Sequence, residues 1–484
     1  MKNLRSLLEL ANSYYQAVSY HQKNELRRAA QLYNDILTLV PNSGQKTLAI
    51  KSIIDFSFFE LLANTHANLG VLRQGSDELA EAIGHYQKAI VIREGFRTWF
   101  DKNIEEWPVK LQSDLATAYM NLGVLLKSTG EFAEAKGHYQ HAIVIQEGIR
   151  TWCDNNNQQW PVEFQNELAS VYTNLAVLLQ SIGELPEAKG HYQHAIVIQE
   201  SIRTWCDNNN QQWSVEFQNV LAIAYMNLGV LLKSTGELAE AKRHYQHSIA
   251  IQEGIRNNNQ QWPVVFQDGL ASVYTNLAVL LQSIGELPEA NGHYQKAICI
   301  YDDMFLEGIK NKLPLNIRVN RLIAWLNYFS VVNVPVTESF LSLTSESIEL
   351  LEIDRGQKSQ TASLQLLHRM VAFSLKNSEI NLALKLIHCA QGRELAYKLE
   401  ASQLTGNEPE VVTLFIKQRA HYRALLAELT QNPHRENDTH FLNELGKAKD
   451  AYSQSRTVVA ALPEYAPLLS PLNIEVTDIQ ATQG

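Results

Sequence analysis

Cysteine set among acid and amide, and histidines in pairs, are the residues of this sequence best able to do chemistry. The stretch "IRTWCDNNNQQW" occurs twice, at Ile149–Trp160 and Ile202–Trp213, and sets Cys153 and Cys206 each before an Asp and a run of amides. A thiol in such a place could be a nucleophile or a soft metal ligand. The motif "HYQH" places His138 and His141, His191 and His194, and His244 and His247 three residues apart, a helical spacing able to chelate a metal. His388 beside Cys389 has the composition of a protease dyad, but neighbours on a helix point about 100° apart. Phosphate-cradling glycine loops, a GxSxG elbow and HExxH are absent from the sequence.

The surroundings of these residues test each idea. Leu62, Leu115, Leu168 and Leu221 open nearly the same segment at a constant interval of 53 residues, and a fifth copy opens at Leu270, 49 further on, because "TWCD" is missing before Asn257. A catalytic thiol would not be optional between copies, yet the first copy reads "RTWFDKNIEEW" where the Cys would fall. The second His of the pair is likewise Lys88 in the first copy and Lys296 in the fifth. The cysteine stretch therefore reads as the turn joining one helical hairpin to the next. Its amides suit a solvated loop, and Pro108, Pro161 and Pro263 suit the first position of the helix that follows. Ser214 stands in that place once. The second copy resembles the fourth ("KSTGE") and the third the fifth ("QSIGELPEA"), as duplication of a two-unit block would leave them.

The elements that position these residues follow from periodicity. Phe164, Leu168, Tyr172, Leu175 and Leu179 draw one apolar stripe at helical spacing, and Gly183-Glu184 ends it. A second stripe runs through Ala188, Tyr192, Ala195, Ile196 and Ile198. Each unit is thus a helix–turn–helix that cannot bury its apolar face alone and must stack on its neighbours.

Leu122, Gly123, Ala135, Tyr139 and Ala142 carry a resemblance to the tetratricopeptide repeat (TPR), with Tyr119 at the aromatic place of its first helix. The set recurs as Leu69, Gly70, Ala82, Tyr86 and Ala89, and with Ala176 and Ala278 in place of the Gly. Ala29, Tyr33, Ile36 and Pro41 fit a repeat of ordinary length. "NLAVLLQSIGELPEAKGHYQHAIVIQE" resembles the long-helix repeats of kinesin light chains and related bacterial proteins. The resemblance implies an all-α fold, a right-handed α-solenoid or superhelix of antiparallel helical hairpins. Four regions are expected: 1–61, an amino-terminal repeat and the start of a long helix; 62–305, five long units; 306–461, less regular helices; and 462–484, an extended tail.

Past Ile300 the period is lost. "ALKLIHCAQGRELAYKLEASQL" and "LPEYAPLLSPLNIEVTDIQ" resemble the connector between TPR arrays and caspase-like CHAT domains. That likeness implies a truncated link, and a CHAT protease domain as a partner that this chain does not contain.

One polar feature recurs in all five copies: Asn68, Asn121, Asn174, Asn227 and Asn276, each directly before the Leu of "NL(G/A)". Asn within a helix costs up to ~0.7 kcal/mol relative to Ala. The resemblance places this residue on the concave wall, where its amide would grip a peptide backbone. Bonding between repeats and simple copying are the other readings. Six residues on stand Lys127, Gln180, Lys233 and Gln282, which would set side-chain preference, the lysines favouring acidic ligands, unless they are ordinary solvated polar residues.

With 51 acidic against 41 basic residues, a net charge of −10 and no basic block, neither nucleic acid nor an anionic membrane is expected as a partner. No run of about 18 apolar residues for a membrane span is expected, Glu9 interrupts any signal-peptide core, and reduced cysteines in the cytoplasm are the default. The function expected is a protein–protein interaction scaffold holding a peptide or protein segment in its groove, without catalysis, cofactor or metal. The alternatives are the sensor half of a CHAT-type cysteine protease and an array that only self-associates.

Overall fold

The computed structural model describes residues 2–38, 53–76, 78–103, 106–258, 263–306, 315–332 and 439–460, with single positions between 370 and 425. Among these residues there is no strand. The connector-like segments, the tail 462–484, His388 and Cys389 all lie outside the described residues. Two compact units divide at Ile255 and Arg256, and each is described by itself.

The first unit holds α1 (Lys2–Gln22), α2 (Leu26–Thr38), α3 (Ile53–Gly75), α4 (Leu79–Asn103), α5 (Val109–Thr129), α6 (Phe132–Asn155), α7 (Val162–Ser181), α8 (Leu185–Asn208), α9 (Val215–Ser234) and most of α10 (Leu238–Asn258). Consecutive helices pack as hairpins, α1 with α2, α3 with α4, α5 with α6 and α7 with α8. Each hairpin closes on the same chemistry. Ala135, Tyr139 and Ala142 of α6 are fully buried, as are Leu115, Ala116, Leu122 and Leu126 of α5, and the Tyr139 ring lies against Gly123. Burying one such large side chain is worth about 1.5–3 kcal/mol, so every unit contributes its own share of core. Gly130, Gly183 and Gly236 end the first helix of a pair with φ between +85° and +92°, a left-handed turn that Gly makes without steric cost. The Glu131 N–H then donates to the Leu126 carbonyl at 2.8 Å.

The repeated cysteine stretch is corrected by the structure. Cys153 and Cys206 lie in the last turns of α6 and α8 and are only 2% exposed; they are not on a surface turn. Their counterpart in the first copy, Phe100, is also buried, so the place calls for an apolar group and Cys fills it as a small hydrophobe. The loop proper begins at the amides. Asn157 and Asn210 take φ of +52° and +51°, the left-handed conformation that Asn tolerates better than other side chains. The Gln158 N–H returns to the Cys153 carbonyl at 2.9 Å and stops the helix. Gln165 and Gln218 then fasten the next helix to the loop by donating to the carbonyls of Trp160 and Trp213 at 2.8 Å. Pro161 sits one residue before α7, at the cap, and Ser214 replaces it at α9 by accepting from the Phe217 N–H at 3.3 Å.

In the second unit, α11 (Val264–Ser283) and α12 (Leu287–Leu306) form a further hairpin, and α13 (Leu315–Val332) packs on both. Helix α14 (Thr439–Ala460) packs Phe441 and Ala448 with Leu425. The expectation of no span-like run needs correction at α9 and α11, which are long and apolar enough by composition to cross a membrane. Packing explains that composition. In α11, Leu270, Ala271, Val273, Leu277, Ala278, Leu280 and Leu281 are all buried, since a first helix is covered on more than one side.

Candidate functional site

Packing on several sides leaves each first helix one half-exposed stripe. In α5 it is Thr117, Met120, Asn121, Val124 and Lys127; in α9 it is Ile223, Met226, Asn227, Val230 and Lys233. In α7, Ser170, Asn174, Val177 and Gln180 are half-exposed, and Thr173 is nearly covered. Because α5 touches α7 and α7 touches α9, the three stripes lie side by side. The first unit therefore presents rows of Asn, of Val, of alternating Met and Thr, and of alternating Lys and Gln. The Thr173 hydroxyl donates to the Ala169 carbonyl at 2.9 Å, so this residue shows its methyl.

The Asn row is not uniform. Asn68 donates through Nδ2 to the hydroxyls of Tyr33 at 3.0 Å and Tyr14 at 3.2 Å, and so bonds between hairpins. The amides of Asn121, Asn174 and Asn227, and of Asn276 in the second unit, have no hydrogen-bond partner among the described residues. Gln180 and Gln282 accept from Tyr192 and Tyr294 at 3.0 and 2.9 Å, and Gln282 also donates to Ser330 of α13. Lys127 and Lys233 are half-buried. Burial pushes the Lys233 pKa down, and no carboxylate pairs with it among the described residues.

The histidine pairs are turned to a different use. His138 stacks on the Tyr119 ring with centroids 5.5 Å apart, and His141 meets the same ring edge-on at 5.1 Å. His191 and His194 do the same with Tyr172, and His244 with Tyr225. No group of three His, Cys, Asp or Glu suited to a metal occurs among the described residues. The tyrosines then reach across to the preceding hairpin: Tyr119 donates to Glu94, Tyr172 to Glu147 and Tyr225 to Glu200, at 2.9–3.1 Å. Burial holds His138, His191 and His244 below their ordinary pKa. In the first copy His66 replaces the Tyr, and its Nδ1 lies 2.9 Å from Nδ1 of His85.

Sequence reasoning missed two things here. A buried polar cluster joins two hairpins: Gln146 donates to Ser113 at 3.1 Å and to Glu167 of the next hairpin at 2.8 Å, while burial raises the Glu167 pKa. The period also survives past Ile300. Trp325 of α13 donates to Asp302 at 3.2 Å, the same bond that Tyr225 makes to Glu200. Trp325 and Asn327 both stand 51 residues after Tyr274 and Asn276, so α13 acts as a sixth first helix. The signal was an Asn two places after an aromatic, obscured by the exchange of Tyr for Trp.

Residues 115–148, 168–202, 221–256 and 270–301 match the family described as Tetratricopeptide repeat. No curated protein matches the chain in sequence. Among solved structures the chain is similar to BtubC (BKLC) from P. vanneervenii, with 17% identity over 63% of this chain and 92% of that one, TM-score 0.37. It is similar to the apo form of the quorum sensor NprR from B. thuringiensis, with 12% identity over 80% and 87%, TM-score 0.47. A third is a kinesin light chain of Podosopora anserina with nearly identical TPR-like repeats, with 15% identity over 49% and 93%, TM-score 0.34.

Proposed function

We propose that this chain is a protein-interaction scaffold that holds an extended polypeptide segment along the half-exposed faces of α5, α7 and α9. The observation that carries the reading is the row Asn121, Asn174 and Asn227. These three amides, on neighbouring helices, have both donor and acceptor capacity unused among the described residues. An Asn amide offers two N–H donors and one carbonyl acceptor, which matches the alternating N–H and C=O of an extended backbone. Helix propensity argues against Asn at such places, so a role outside the helix accounts for its recurrence. Val124, Val177 and Val230 beside the row supply apolar contact for alternate side chains. The tetratricopeptide repeat match supports the same class of role.

Selection of displayed short peptides on the full chain tests this. Recovered peptides should bind the wild type and lose roughly 10-fold or more on the triple change Asn121→Ala, Asn174→Ala, Asn227→Ala, since each hydrogen bond is worth about 0.5–1.5 kcal/mol. Peptides that bind the triple variant equally well would end the reading.

A further inference from the structure

The second helices carry an outward face of their own. Val91 of α4, Val144 of α6 and Val197 of α8 hold equivalent places, and they are 66%, 71% and 64% exposed. The hairpin does not need Val there, since α10 has Ala250 in that place and Ala is the better helix former. Seven residues after each Val stands Thr98, Thr151 or Thr204. Each hydroxyl donates back to a carbonyl of its own helix, that of Glu94, Glu147 or Glu200, at 2.8–2.9 Å, which leaves the methyl group to the surface. Seven residues before each Val stands Gly84, Gly137 or Gly190, where an added Cβ would meet nothing. In α10 Arg243 fills that place, so the hairpin accepts a large side chain where α4, α6 and α8 have none.

These faces also lack charge. From Gly84 to Thr98, Gly137 to Thr151 and Gly190 to Thr204, every residue within about 40° of the Val direction, at about 100° per residue, is Gly, Gln, Val, Ser or Thr. Successive second helices run along one side of the unit: Lys136 of α6 reaches Glu184, which leads into α8, at 2.5 Å, and Lys189 of α8 reaches Glu237, which leads into α10, at 2.6 Å. Each stripe is about 21 Å long and about 10 Å wide, or roughly 200 Å². One stripe is on the scale of a chance contact, whereas the three, with the residues that flank them, approach the roughly 800 Å² per partner of a stable dimer.

A body that covers this face must be apolar, uncharged and repeated at the hairpin spacing. A second copy of the chain meets all three conditions. Two chains that each carry a net charge of −10 repel, and they meet with least repulsion where neither presents a charge. We propose that two copies of this chain associate through the outward faces of α4, α6 and α8, the Val row of one against the Val row of the other. Such a contact is isologous, the same patch serving both copies. It leaves the half-exposed faces of the first helices open, so this inference stands or falls apart from the groove.

Sedimentation equilibrium of the full chain between ~0.1 and ~100 µM, the range in which an interface of this size associates, tests the proposal. The wild type should pass from the mass of one chain to that of two. Val91→Glu/Val144→Glu/Val197→Glu should raise the dissociation constant roughly 100-fold or more by setting carboxylates against one another. The melting temperature of the dilute protein should hold, because all three places are exposed. If that variant does not fold, Val91→Ala/Val144→Ala/Val197→Ala installs the residue of α10 and should still weaken association roughly 10-fold. A wild type that remains a single chain at the highest concentration would overturn the proposal. A dimer that neither variant weakens would put the contact elsewhere on the chain and overturn it equally.

Discussion

Replacing Asn68 and Asn174 separately by Ala should change stability in opposite directions, although the two residues hold equivalent places. At Asn68 the change removes donation to Tyr33 and Tyr14. Tyr33 is fully buried, so its hydroxyl loses this partner where water does not replace it. A buried polar group left unsatisfied costs about 1–3 kcal/mol. Ala returns up to ~0.7 kcal/mol as the better helix former, which leaves a net loss of about 0.5–2 kcal/mol. At Asn174 no described partner is lost, and only the propensity gain remains, up to ~0.7 kcal/mol. Because repeat arrays can unfold unit by unit, urea midpoints need support from hydrogen exchange. Asn68→Ala should lower protection in α1, α2 and α3 first, while Asn174→Ala should leave α7 protected. An equal loss at Asn174 would mean that its amide is bonded within the array, and the open row would then be refuted. No loss at Asn68 would show that the tyrosine hydroxyls do not depend on it.

Cys153→Ser should cost about 1–2 kcal/mol, because a hydroxyl would enter an apolar place that is 2% exposed. Thiol reagents should label Cys153 far more slowly in the native state than in urea, and rapid native labelling would contradict the burial. Acid should weaken the array: burial lowers the pKa of His66 to about 3 and also depresses His85, His138, His191 and His244. A lowered folded pKa means that the unfolded chain takes up protons first, so stability is complete above about pH 6.5 and falls as pH drops below it. For His66 alone the loss by pH 5 is about 2 kcal/mol. Melting curves from pH 7 to pH 5 should show this, and His66→Tyr, which installs the residue of the other units, should reduce the drop; an unchanged drop would exclude His66 as its source. Gly123→Ala should destabilise by about 1–2 kcal/mol, since the new Cβ would meet the Tyr139 ring at 2.9 Å. Adding Lys127→Gln should recover roughly half of that in a double-mutant cycle by giving the Tyr139 hydroxyl an acceptor, and strict additivity would refute the coupling.

What was legible in the sequence was whatever repeats without change. The Leu, Ala and Tyr spacing told where each hairpin lies, and the Asn before each Leu marked a position that is half-exposed in α5, α7 and α9. Comparison of copies also showed that the thiol is not shared, since Phe100 stands in its place in the first copy. The burial of Cys153 was not legible, because polar "DNNNQQ" beside it makes the whole stretch read as loop. Only the aligned Phe100 hinted that the last helical turns extend that far. The different fate of Asn68 was hidden for a related reason. Its partners Tyr14 and Tyr33 belong to hairpin residues of ordinary repeat length, outside the 53-residue period, so no copy could announce them. The sixth first helix was lost because Trp325 keeps the hydrogen bond of a Tyr while changing its letter.

The alternation between units joins a core position to a half-exposed one. In α5 and α9 the residue facing the next helix is Gly123 or Gly229, and an added Cβ would lie within 3 Å of the Tyr139 or Tyr245 ring. In α7 and α11 the same place holds Ala176 or Ala278, so the ring must stand farther off, and there the Tyr192 and Tyr294 hydroxyls reach Gln180 and Gln282. The buried Tyr139 hydroxyl, by contrast, has no acceptor. In α7 and α11 the core methyl thus goes with a tyrosine bonded to the Gln four places further along the helix, whereas α5 and α9 carry Gly and Lys at these two places; α3, with Gly70 and Gln74, stands outside the alternation. In the Ala-bearing helices the Gln gives its carbonyl to the tyrosine. In α9 Lys233 stays half-exposed with no carboxylate beside it among the described residues, and duplication of a two-hairpin block would repeat the pairing of Gly with Lys and of Ala with Gln.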